Sequence, residues 1–315
     1  MKKSLSIVLT AVFLTAFPVT QAFSLDLFDG LNKINKGINT VKEIKQQAEK
    51  VADAIESIDR AAEPITAADS YSIGRTVAAN VLTEYKLNTS KPNAIVYVNK
   101  ICKAITMNSN TPVIYKDYCV AIIDSDEINA FSTSGGHIFI TTGIIRCTKS
   151  EDELAAIIAH EIAHINLEHA VVAIKTARTT DAISKTADIT RDFTKKYGNL
   201  NKDQKDGIDL LTNANLTAMT LITETGYTKN QEFKADEVAA KLMSDAGYDP
   251  QALVDVLKMI KEYTPKTATL AGWHKTHPNP DERAKKVQSI TKKLNFTGSD
   301  RSVRQSRFEK NISGF

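Results

Sequence analysis

Apolar residues recur at helical spacing along much of this chain, and the strongest pattern is an uninterrupted apolar run at residues 154–159. Ser150 precedes it with Glu153 three positions later, the spacing of a capping box, and the acidic residues there suit the positive end of a helix dipole. No helix breaker follows until about residue 176. The pattern predicts a helix over 151–176 that is buried on most of its sides.

Weaker periodic patterns predict further helices over 71–87, 94–107 and 251–263. Between residues 23 and 63, apolar residues recur at three- and four-residue spacing: Val41, Ile44, Ala48, Val51, Ile55 and Ile58. Because this repeat is short, we expect the helix to pack on its own domain rather than in a coiled coil. Strands are predicted over 113–115, 119–123 and 138–142. The chain is therefore predicted to be α+β and mostly helical.

The segment 177–227 is rich in Thr, Lys and Asp, and Tyr197-Gly198-Asn199 breaks it near the middle. Periodic apolar residues on both sides of this break favour helices. The segment could form a lid over a cleft or a helical hairpin fixed on the surface, and the pattern does not choose between them.

The first 22 residues have the organisation of a secretory signal peptide. Lys2 and Lys3 precede an apolar stretch over 5–17, and Ala22 ends a small-residue cleavage site. The apolar stretch is too short for a membrane span, and no cysteine follows the cleavage site to carry a lipid. We therefore expect a periplasmic or secreted protein without an integral membrane span after cleavage.

Charge and cysteine content narrow the range of partners. The chain has 40 basic and 37 acidic side chains, so loss of Lys2 and Lys3 leaves the mature protein near neutrality. Such a balance does not indicate a nucleic-acid partner. Cys102, Cys119 and Cys147 have no neighbour at metal-ligand spacing. A bridge between Cys102 and Cys119 is one of the pairings that the sequence leaves open.

Five consecutive residues in the predicted helix, His160-Glu161-Ile162-Ala163-His164, have the composition of a zinc site. Helical residues four apart lie on one face about 6 Å apart, so both histidines can direct a ring nitrogen at one metal ion. Glu161 projects about 100° round the helix, where it can act as general base towards a water molecule. A chance match on a surface helix is the alternative. Leu167 and Ala170 stand where metzincins have Gly and His, which excludes that class.

Two histidines leave a catalytic zinc site one protein ligand short. Glu232 is the best candidate for the third ligand, because Asp236 lies one turn along the same face and could hydrogen-bond a ligand histidine. Taken alone, a Glu and an Asp four positions apart are more typical of a solvated helix face.

Four blocks of sequence carry a resemblance to a known family. They are Asn129-Ala130-Phe131 with Gly135-Gly136-His137-Ile138-Phe139-Ile140-Thr141-Thr142-Gly143; Glu153-Leu154-Ala155 with the His160 to His164 motif and His169; Glu232 to Asp236; and Thr276-His277-Pro278 with Arg283. Together they resemble the HtpX, Oma and CAAX-prenyl-endopeptidase superfamily of gluzincin metallopeptidases, and within it the soluble periplasmic BepA-like and LoiP-like branch. No tetratricopeptide repeat with a 34-residue period follows, in contrast to members that carry such repeats.

This resemblance implies a role for each matching residue. His160, His164 and Glu232 would hold one Zn²⁺ per chain, and Glu161 would be the general base. Asp236 and His169 would support ligand histidines by hydrogen bonding, although His169 could equally be an ordinary helix histidine.

Two later residues have competing interpretations. His277 would be an extra metal ligand that keeps the enzyme latent, or part of a loop packed beside the cleft. Arg283 would stabilise an oxyanion or form a salt bridge with an acidic neighbour.

The resemblance also implies a zincin-like domain with a small mixed sheet whose edge strand borders the active-site helix. We expect that edge strand after the pair Gly135 and Gly136, comprising His137, Ile138 and Phe139, where an extended substrate could pair with it. The alternative is an internal strand with no free edge.

The expected organisation is a signal peptide at 1–22, an N-terminal helical segment at 23–63, a metallopeptidase domain at 64–296 and a C-terminal tail at 297–315 without an assigned role. The expected function is that of an exported zinc-dependent endopeptidase acting on extended or misfolded envelope proteins. The alternative is a chaperone-like assembly factor that binds extended chains and cleaves rarely. Expected partners are protein or peptide substrates, with peripheral association with envelope assembly machinery.

Overall fold

The computed structural model describes residues 37–197, 227–263, 277, 279–294, 296–298 and 301–315. The predicted signal peptide and much of the segment 177–227 lie outside the described residues.

The described chain is mostly helical with one small mixed sheet. Its helices are α1 (Gly37–Ala62), α2 (Ala67–Glu84), α3 (Pro92–Thr106), α4 (Thr142–Cys147), α5 (Glu151–Asn166), α6 (His169–Tyr197), α7 (Lys229–Asp245), α8 (Gln251–Tyr263), α9 (Pro280–Thr291) and α10 (Arg301–Ile312). Its strands are β1 (Lys86–Leu87), β2 (Cys119–Asp124), β3 (Ala130–Ser132) and β4 (His137–Thr141). The α+β prediction is confirmed.

The sheet has the strand order β1-β2-β4-β3. β2 and β4 run parallel, while β1 and β3 are antiparallel to their neighbours. The predicted strands over 119–123 and 138–142 correspond to β2 and β4. The strand predicted over 113–115 was wrong, because those residues form a loop in which Val113 is 75% exposed. Val113 and Ile114 are adjacent and apolar, but an isolated apolar pair does not show the alternation of buried and exposed side chains that defines a strand in a sheet.

β4 lies between β2 and β3, so the prediction that it forms the sheet edge was wrong. Gly135 and Gly136 have φ values of 83° and 100° and form the turn of a β3–β4 hairpin, which brings β3 alongside β4 and covers that edge. The edge strand beside α5 is therefore β3. The backbone of α2 approaches the glycine pair closely, since a Cβ on Gly135 would lie 2.4 Å from Tyr71 Cα.

α5 is the central helix of the core, as the apolar pattern predicts. Residues 154–163 are fully buried, and the helix packs against β3, α3, α7, α8 and α10. Its N-terminus is capped by Ser150, whose hydroxyl accepts a hydrogen bond from Glu153 N. Burial on most sides fixes the helix that bears the two motif histidines.

The helix predicted over 151–176 is interrupted, which corrects that prediction. α5 ends at Asn166, and α6 begins at His169 after Glu168, which has a left-handed φ of 53°. The Asn166 side chain explains this end. Its Oδ1 accepts hydrogen bonds from Thr111 and Tyr118, both at 2.7 Å, and its Nδ2 donates to Ser109. These bonds anchor the last residue of α5 to the loop before β2.

The remaining predicted helices are present with shifted ends. The prediction over 251–263 matches α8, and that over 94–107 matches α3. The prediction over 71–87 corresponds to α2, which starts earlier at a capping box formed by Thr66 and Asp69 and ends before β1.

α1 packs on α6 of its own chain, and the predicted apolar positions whose side chains are described, Ala48, Val51, Ile55 and Ile58, are not buried. Among the described side chains of α1 the buried ones are Ala54 and Ser57, whereas Val51 and Ile55 are 41% and 50% exposed. Lys185 of α6 donates a hydrogen bond of 2.9 Å to Ser57 Oγ. Small and polar residues therefore form this contact, and the predicted apolar stripe remains partly exposed.

The C-terminal segment is not a separate tail, because α10 packs against α5. Phe308 and Ile312 belong to the same core cluster as the apolar residues of α5. Cys102, Cys119 and Cys147 carry free thiols. Within the described residues no single helix is long and apolar enough to cross a membrane, although α5 and the first part of α6, across their 43° bend, together reach that length and composition.

Candidate metal centre

α5 and α7 bring the predicted ligand residues together in the interior. His160 and His164, four positions apart on α5, are 0% and 2% exposed. Glu232 is fully buried in the first turn of α7, which starts at a capping box between Thr228 and Gln231. This cap fixes where the first turn begins and so directs Glu232 towards the two histidines.

Distances within this group are those of ligands around a single ion. The Nε2 atoms of His160 and His164 are 3.1 Å apart, and the Glu232 carboxylate oxygens lie 3.5 Å and 3.4 Å from them. Metal–ligand bonds of about 2.0–2.1 Å in a tetrahedral site place neighbouring donor atoms about 3.3 Å apart.

His277 completes the group from the chain segment before α9. Its Nδ1 lies 2.9 Å from Glu232 Oε1 and 3.4 Å from His160 Nε2, and the residue is 1% exposed. One donor atom from each of His160, His164, Glu232 and His277 lies within 4.8 Å of every other. The His277 ring therefore faces the predicted ligand atoms, and its role as an extra ligand that keeps the enzyme latent stays a prediction.

Glu161 lies beside this group with its two carboxylate oxygens in different surroundings. Oε2 accepts a 2.8 Å hydrogen bond from the Ser132 hydroxyl of β3. Oε1 is buried and has no hydrogen-bond partner among the described residues, and His277 Nε2 is 3.6 Å away. A buried oxygen without a partner is costly unless a water or an ion completes its surroundings.

Asp236 and Arg283 form a buried ionic pair behind the histidines. Asp236 Oδ1 lies 3.1 Å from His160 Nδ1, as expected for a residue that orients a ligand histidine. Arg283 makes two hydrogen bonds of 2.8 Å to Asp236, and its Nη1 lies 2.7 Å from Glu232 Oε2. These contacts favour the salt-bridge interpretation of Arg283, because its guanidinium is directed at protein acceptors.

His169 and Tyr227 contact the His164 ring, the first at Nδ1 and the second on a ring face. His169 Nδ1 is 2.9 Å from His164 Nδ1, so one imidazole donates to the other. The Tyr227 ring stacks on His164, with centroids 4.1 Å apart and an angle of 22° between the planes. The predicted unbroken helix over 151–176 would place His169 nearly opposite His160. The interruption at Glu168 is what turns His169 towards His164.

Charged neighbours and burial set the ionisation of the cluster. Burial lowers the pKa of His164 well below its ordinary value. Burial would raise the pKa of Glu232, but His277 and Arg283 hold it well below the usual range. Burial and Arg283 oppose protonation of His160, yet its hydrogen bonds to Asp236 and Glu232 prevail and raise its pKa to about 9. A proton and a metal ion therefore compete for His160.

The donor set fits a divalent transition-metal ion. Imidazole nitrogens and one carboxylate are the ligands that zinc accepts, and the donor spacing matches a tetrahedral site. Glu161 Oε1 is an additional buried acceptor at the edge of this group. The residues present therefore fit one metal ion per chain.

The remaining predicted site residues lie in the sheet. Gly135 and Gly136 form the hairpin turn, and Ile138 pairs with Val120 inside the sheet. His137 stacks on Tyr71 with centroids 5.3 Å apart, while Phe139 stacks on Phe131 at 5.2 Å. Since β4 is internal, these residues have no free backbone edge to offer a substrate.

Sequence reasoning missed three features. The first is the contact of Ser132 with Glu161. Its position directly after the Asn129-Ala130-Phe131 block is the signal that could have identified it. Tyr227 immediately precedes the capping Thr228, but nothing local signals that its ring reaches His164. Arg304 and Arg307 in the predicted tail pair with Asp152 and Glu151 at the start of α5, and no local signal links residues so far apart in sequence.

Arg307 makes two hydrogen bonds to Glu151 at 3.0 Å and 2.6 Å, and Arg304 lies 3.1 Å from Asp152. Both carboxylates belong to the first turn of α5. The C-terminal helix is thereby joined by ion pairs to the helix that carries the motif histidines.

Several known proteins are similar to this chain over part of its length. Beta-barrel assembly-enhancing protease of Yersinia pestis is 26% identical over 197 residues, which cover 59% of this chain and 37% of that protein. Mitochondrial metalloendopeptidase OMA1 of Schizosaccharomyces pombe is 25% identical over 210 residues, 66% of this chain and 57% of that protein. A protease HtpX homolog of Methylibium petroleiphilum is 29% identical over 202 residues, 54% of this chain and 68% of that protein.

The chain thus spans just over a third of the length of the beta-barrel assembly-enhancing protease and more than half of the other two. Residues 96–291, well over half of this chain, match the family described as Peptidase family M48. That range contains β2 to α9 and every residue of the buried donor cluster. The chain belongs to peptidase family M48.

Proposed function

We propose that this protein is a zinc-dependent endopeptidase, with His160, His164 and Glu232 as ligands of one Zn²⁺. The observation that carries the proposal is the buried four-donor cluster with Glu161 beside it. Membership of a peptidase family supports the reaction class.

Within this proposal each residue has a defined task. The bound ion would polarise the scissile carbonyl and lower the pKa of water at the site. Glu161 accepts a proton at Oε1 from the attacking water and then donates it to the nitrogen of the leaving amine, so that one water is added across the C–N bond. Asp236, held by Arg283, keeps the His160 ring oriented.

The substrate is proposed to be an extended segment of protein. β3 is an edge strand beside α5, and a peptide can add to such an edge through main-chain hydrogen bonds. Backbone pairing requires an extended chain but no particular side chains. This favours unfolded or misfolded proteins over a small molecule or a single folded target.

Export and an envelope setting are part of the proposal. They rest on the signal-peptide pattern of residues 1–22 and on the name of the beta-barrel assembly-enhancing protease relatives. The substrates would be envelope proteins undergoing quality control. Peripheral association with assembly machinery stays a prediction.

A latent resting state is supported by His277. Catalytic zinc sites usually have three protein ligands and keep one position open, but here a fourth donor faces the ligand atoms. If all four residues held the ion, no position would remain open, and hydrolysis would be blocked. His277→Ala should then raise kcat for peptide cleavage at equal metal content. An unchanged or lower rate would exclude an inhibitory role.

The central experiment compares the mature wild-type protein with Glu161→Gln. Metal content is measured by elemental analysis, and cleavage is measured with casein. We expect about one zinc per chain in both proteins, and loss of cleavage by at least about 100-fold in the variant, since general bases contribute about 10² to 10⁴. Absence of metal from freshly purified wild type, or equal cleavage by both proteins, would contradict the proposal.

The alternative function is a chaperone-like role. The fourth donor, His277, supports it, because a metal site with four protein ligands would cleave rarely. The Glu161→Gln variant separates this role from proteolysis. If Glu161→Gln restores envelope assembly in a strain lacking the protein, binding of extended chains is the main role. If it does not, hydrolysis is required.

A further inference from the structure

The Ser132 hydroxyl contacts the carboxylate that the proposed reaction uses as its base. Its Oγ donates a hydrogen bond of 2.8 Å to Glu161 Oε2 and lies 3.3 Å from the Glu161 carbonyl oxygen. Ser132 is the last residue of β3 and pairs with Ile138 of β4. The donor is therefore held by sheet hydrogen bonds, whereas its acceptor belongs to a buried helix.

This contact makes the two carboxylate oxygens inequivalent. Oε2 is held by Ser132, while Oε1 has no hydrogen-bond partner among the described residues. A carboxylate rotates freely about its last torsion unless something fixes it. The hydroxyl removes that freedom and leaves one oxygen directed at the donor cluster, with His277 Nε2 3.6 Å away.

We propose that Ser132 is a positioning residue, which holds Glu161 by Oε2 so that Oε1 is the oxygen that exchanges the proton. This inference rests on the proposed function. It also gives β3 a second task, because the strand that offers its edge to an extended substrate also carries the group that orients the base. Substrate pairing and base orientation thus depend on one strand.

Three variants test the activity consequence. Ser132→Ala removes the hydroxyl and Ser132→Thr retains it. Ser134→Ala is the matched control, because its hydroxyl donates to the Ser70 carbonyl oxygen instead. We expect Ser132→Ala to lower kcat by about 10- to 100-fold at nearly unchanged KM and metal content, as part of the contribution of a positioned base. Ser132→Thr should recover most of kcat, and Ser134→Ala should keep it.

A second measurement does not depend on cleavage. In metal-free protein, the effect of Ser132→Ala on the melting temperature is compared in the wild-type and Glu161→Ala backgrounds. Loss of the hydrogen bond to the carboxylate should make Ser132→Ala cost about 3–8 °C in the wild type and clearly less in Glu161→Ala, where only the longer contact to the backbone carbonyl oxygen of residue 161 remains. Equal shifts in both backgrounds would show that the two side chains do not interact, and would overturn the proposal.

The outcomes separate this inference from the function on which it rests. A wild type that cleaves, a Glu161→Gln variant that does not, and a Ser132→Ala variant with wild-type kcat would overturn the inference alone. A parallel fall for Ser132→Ala and Ser134→Ala would do the same, because it would indicate general damage to the hairpin. A wild type that cleaves nothing would overturn both.

Discussion

His169 and His164 face each other with their Nδ1 atoms 2.9 Å apart, although residues five positions apart in a continuous helix point in different directions. The left-handed Glu168 between α5 and α6 allows the contact. The contact of His169 with His164 therefore depends on a break between α5 and α6, and the apolar pattern of the sequence does not predict this break.

His169→Ala should weaken metal binding about 10- to 100-fold, because the proposed ligand His164 would lose the partner that fixes its ring. The measurement is zinc affinity by chelator competition. His137→Ala is the control, since that histidine lies next to Thr133 and Tyr71 instead. Equal affinities for the wild type and His169→Ala would contradict this role.

Tyr227 should act through its ring. Tyr227→Phe keeps the stacking on His164 and is expected to change zinc affinity by less than about twofold, whereas Tyr227→Ala should lower it about tenfold. Chelator competition measures the zinc affinity of both variants. If Tyr227→Phe and Tyr227→Ala lower that affinity equally, the hydroxyl rather than the ring is responsible.

Arg304→Ala should destabilise the protein in a pH-dependent way. Burial raises the pKa of Asp152 and Arg304 opposes that rise, so removing the arginine raises this pKa further. A carboxyl whose pKa is higher in the folded state costs stability once it is ionised, so the loss grows as pH rises through the raised pKa. We expect a fall in the free energy of unfolding of about 2–4 kcal/mol at pH 7.5 and a much smaller one at pH 4.5.

Urea denaturation of the wild type and Arg304→Ala at both pH values measures this difference. Lys310→Ala, an exposed cation on the same helix, is the control and should have little effect at either pH. A loss of the same size at pH 4.5 and pH 7.5 would show that the charge of Asp152 is not the cause.

Gly135→Ala should destabilise the fold by about 2–5 kcal/mol. The new Cβ would lie 2.4 Å from Tyr71 Cα, and the backbone φ of 83° is unfavourable for alanine. Thermal unfolding measures the loss. Gly298→Ala, whose Cβ would lie nearest to the Phe296 side chain rather than to backbone, should cost less. Similar losses of stability at both positions would mean that α2 moves away to accommodate the added Cβ.

The predictable part of the site is the part set by local geometry. The spacing of His160 and His164 on one helix needs nothing beyond the helical repeat, and the burial of α5 follows from its apolar run. Glu232 could be identified as a ligand only through the family resemblance, since a Glu and an Asp four positions apart are typical of an exposed helix face. His277 lies 117 positions from His160, and no periodicity relates residues so far apart.

The errors have an equally physical origin. β4 has strand propensity, but propensity does not reveal which neighbours a strand acquires, and the hairpin at Gly135 placed β3 on its open side. The tail was left without a role because its arginines appear solvated in sequence. Their partners, Glu151 and Asp152, stand about 150 residues earlier and become visible only when α10 is packed against α5.

Those arginine contacts also bear on the order in which the protein matures. Glu151 and Asp152 begin the helix that carries His160, yet they gain Arg307 and Arg304 only after nearly the whole described chain has been synthesised. A nascent chain that stops short of α10 leaves two buried carboxylates without these partners. The start of α5 therefore acquires its full set of charge partners only once α10 has been synthesised and has packed against it.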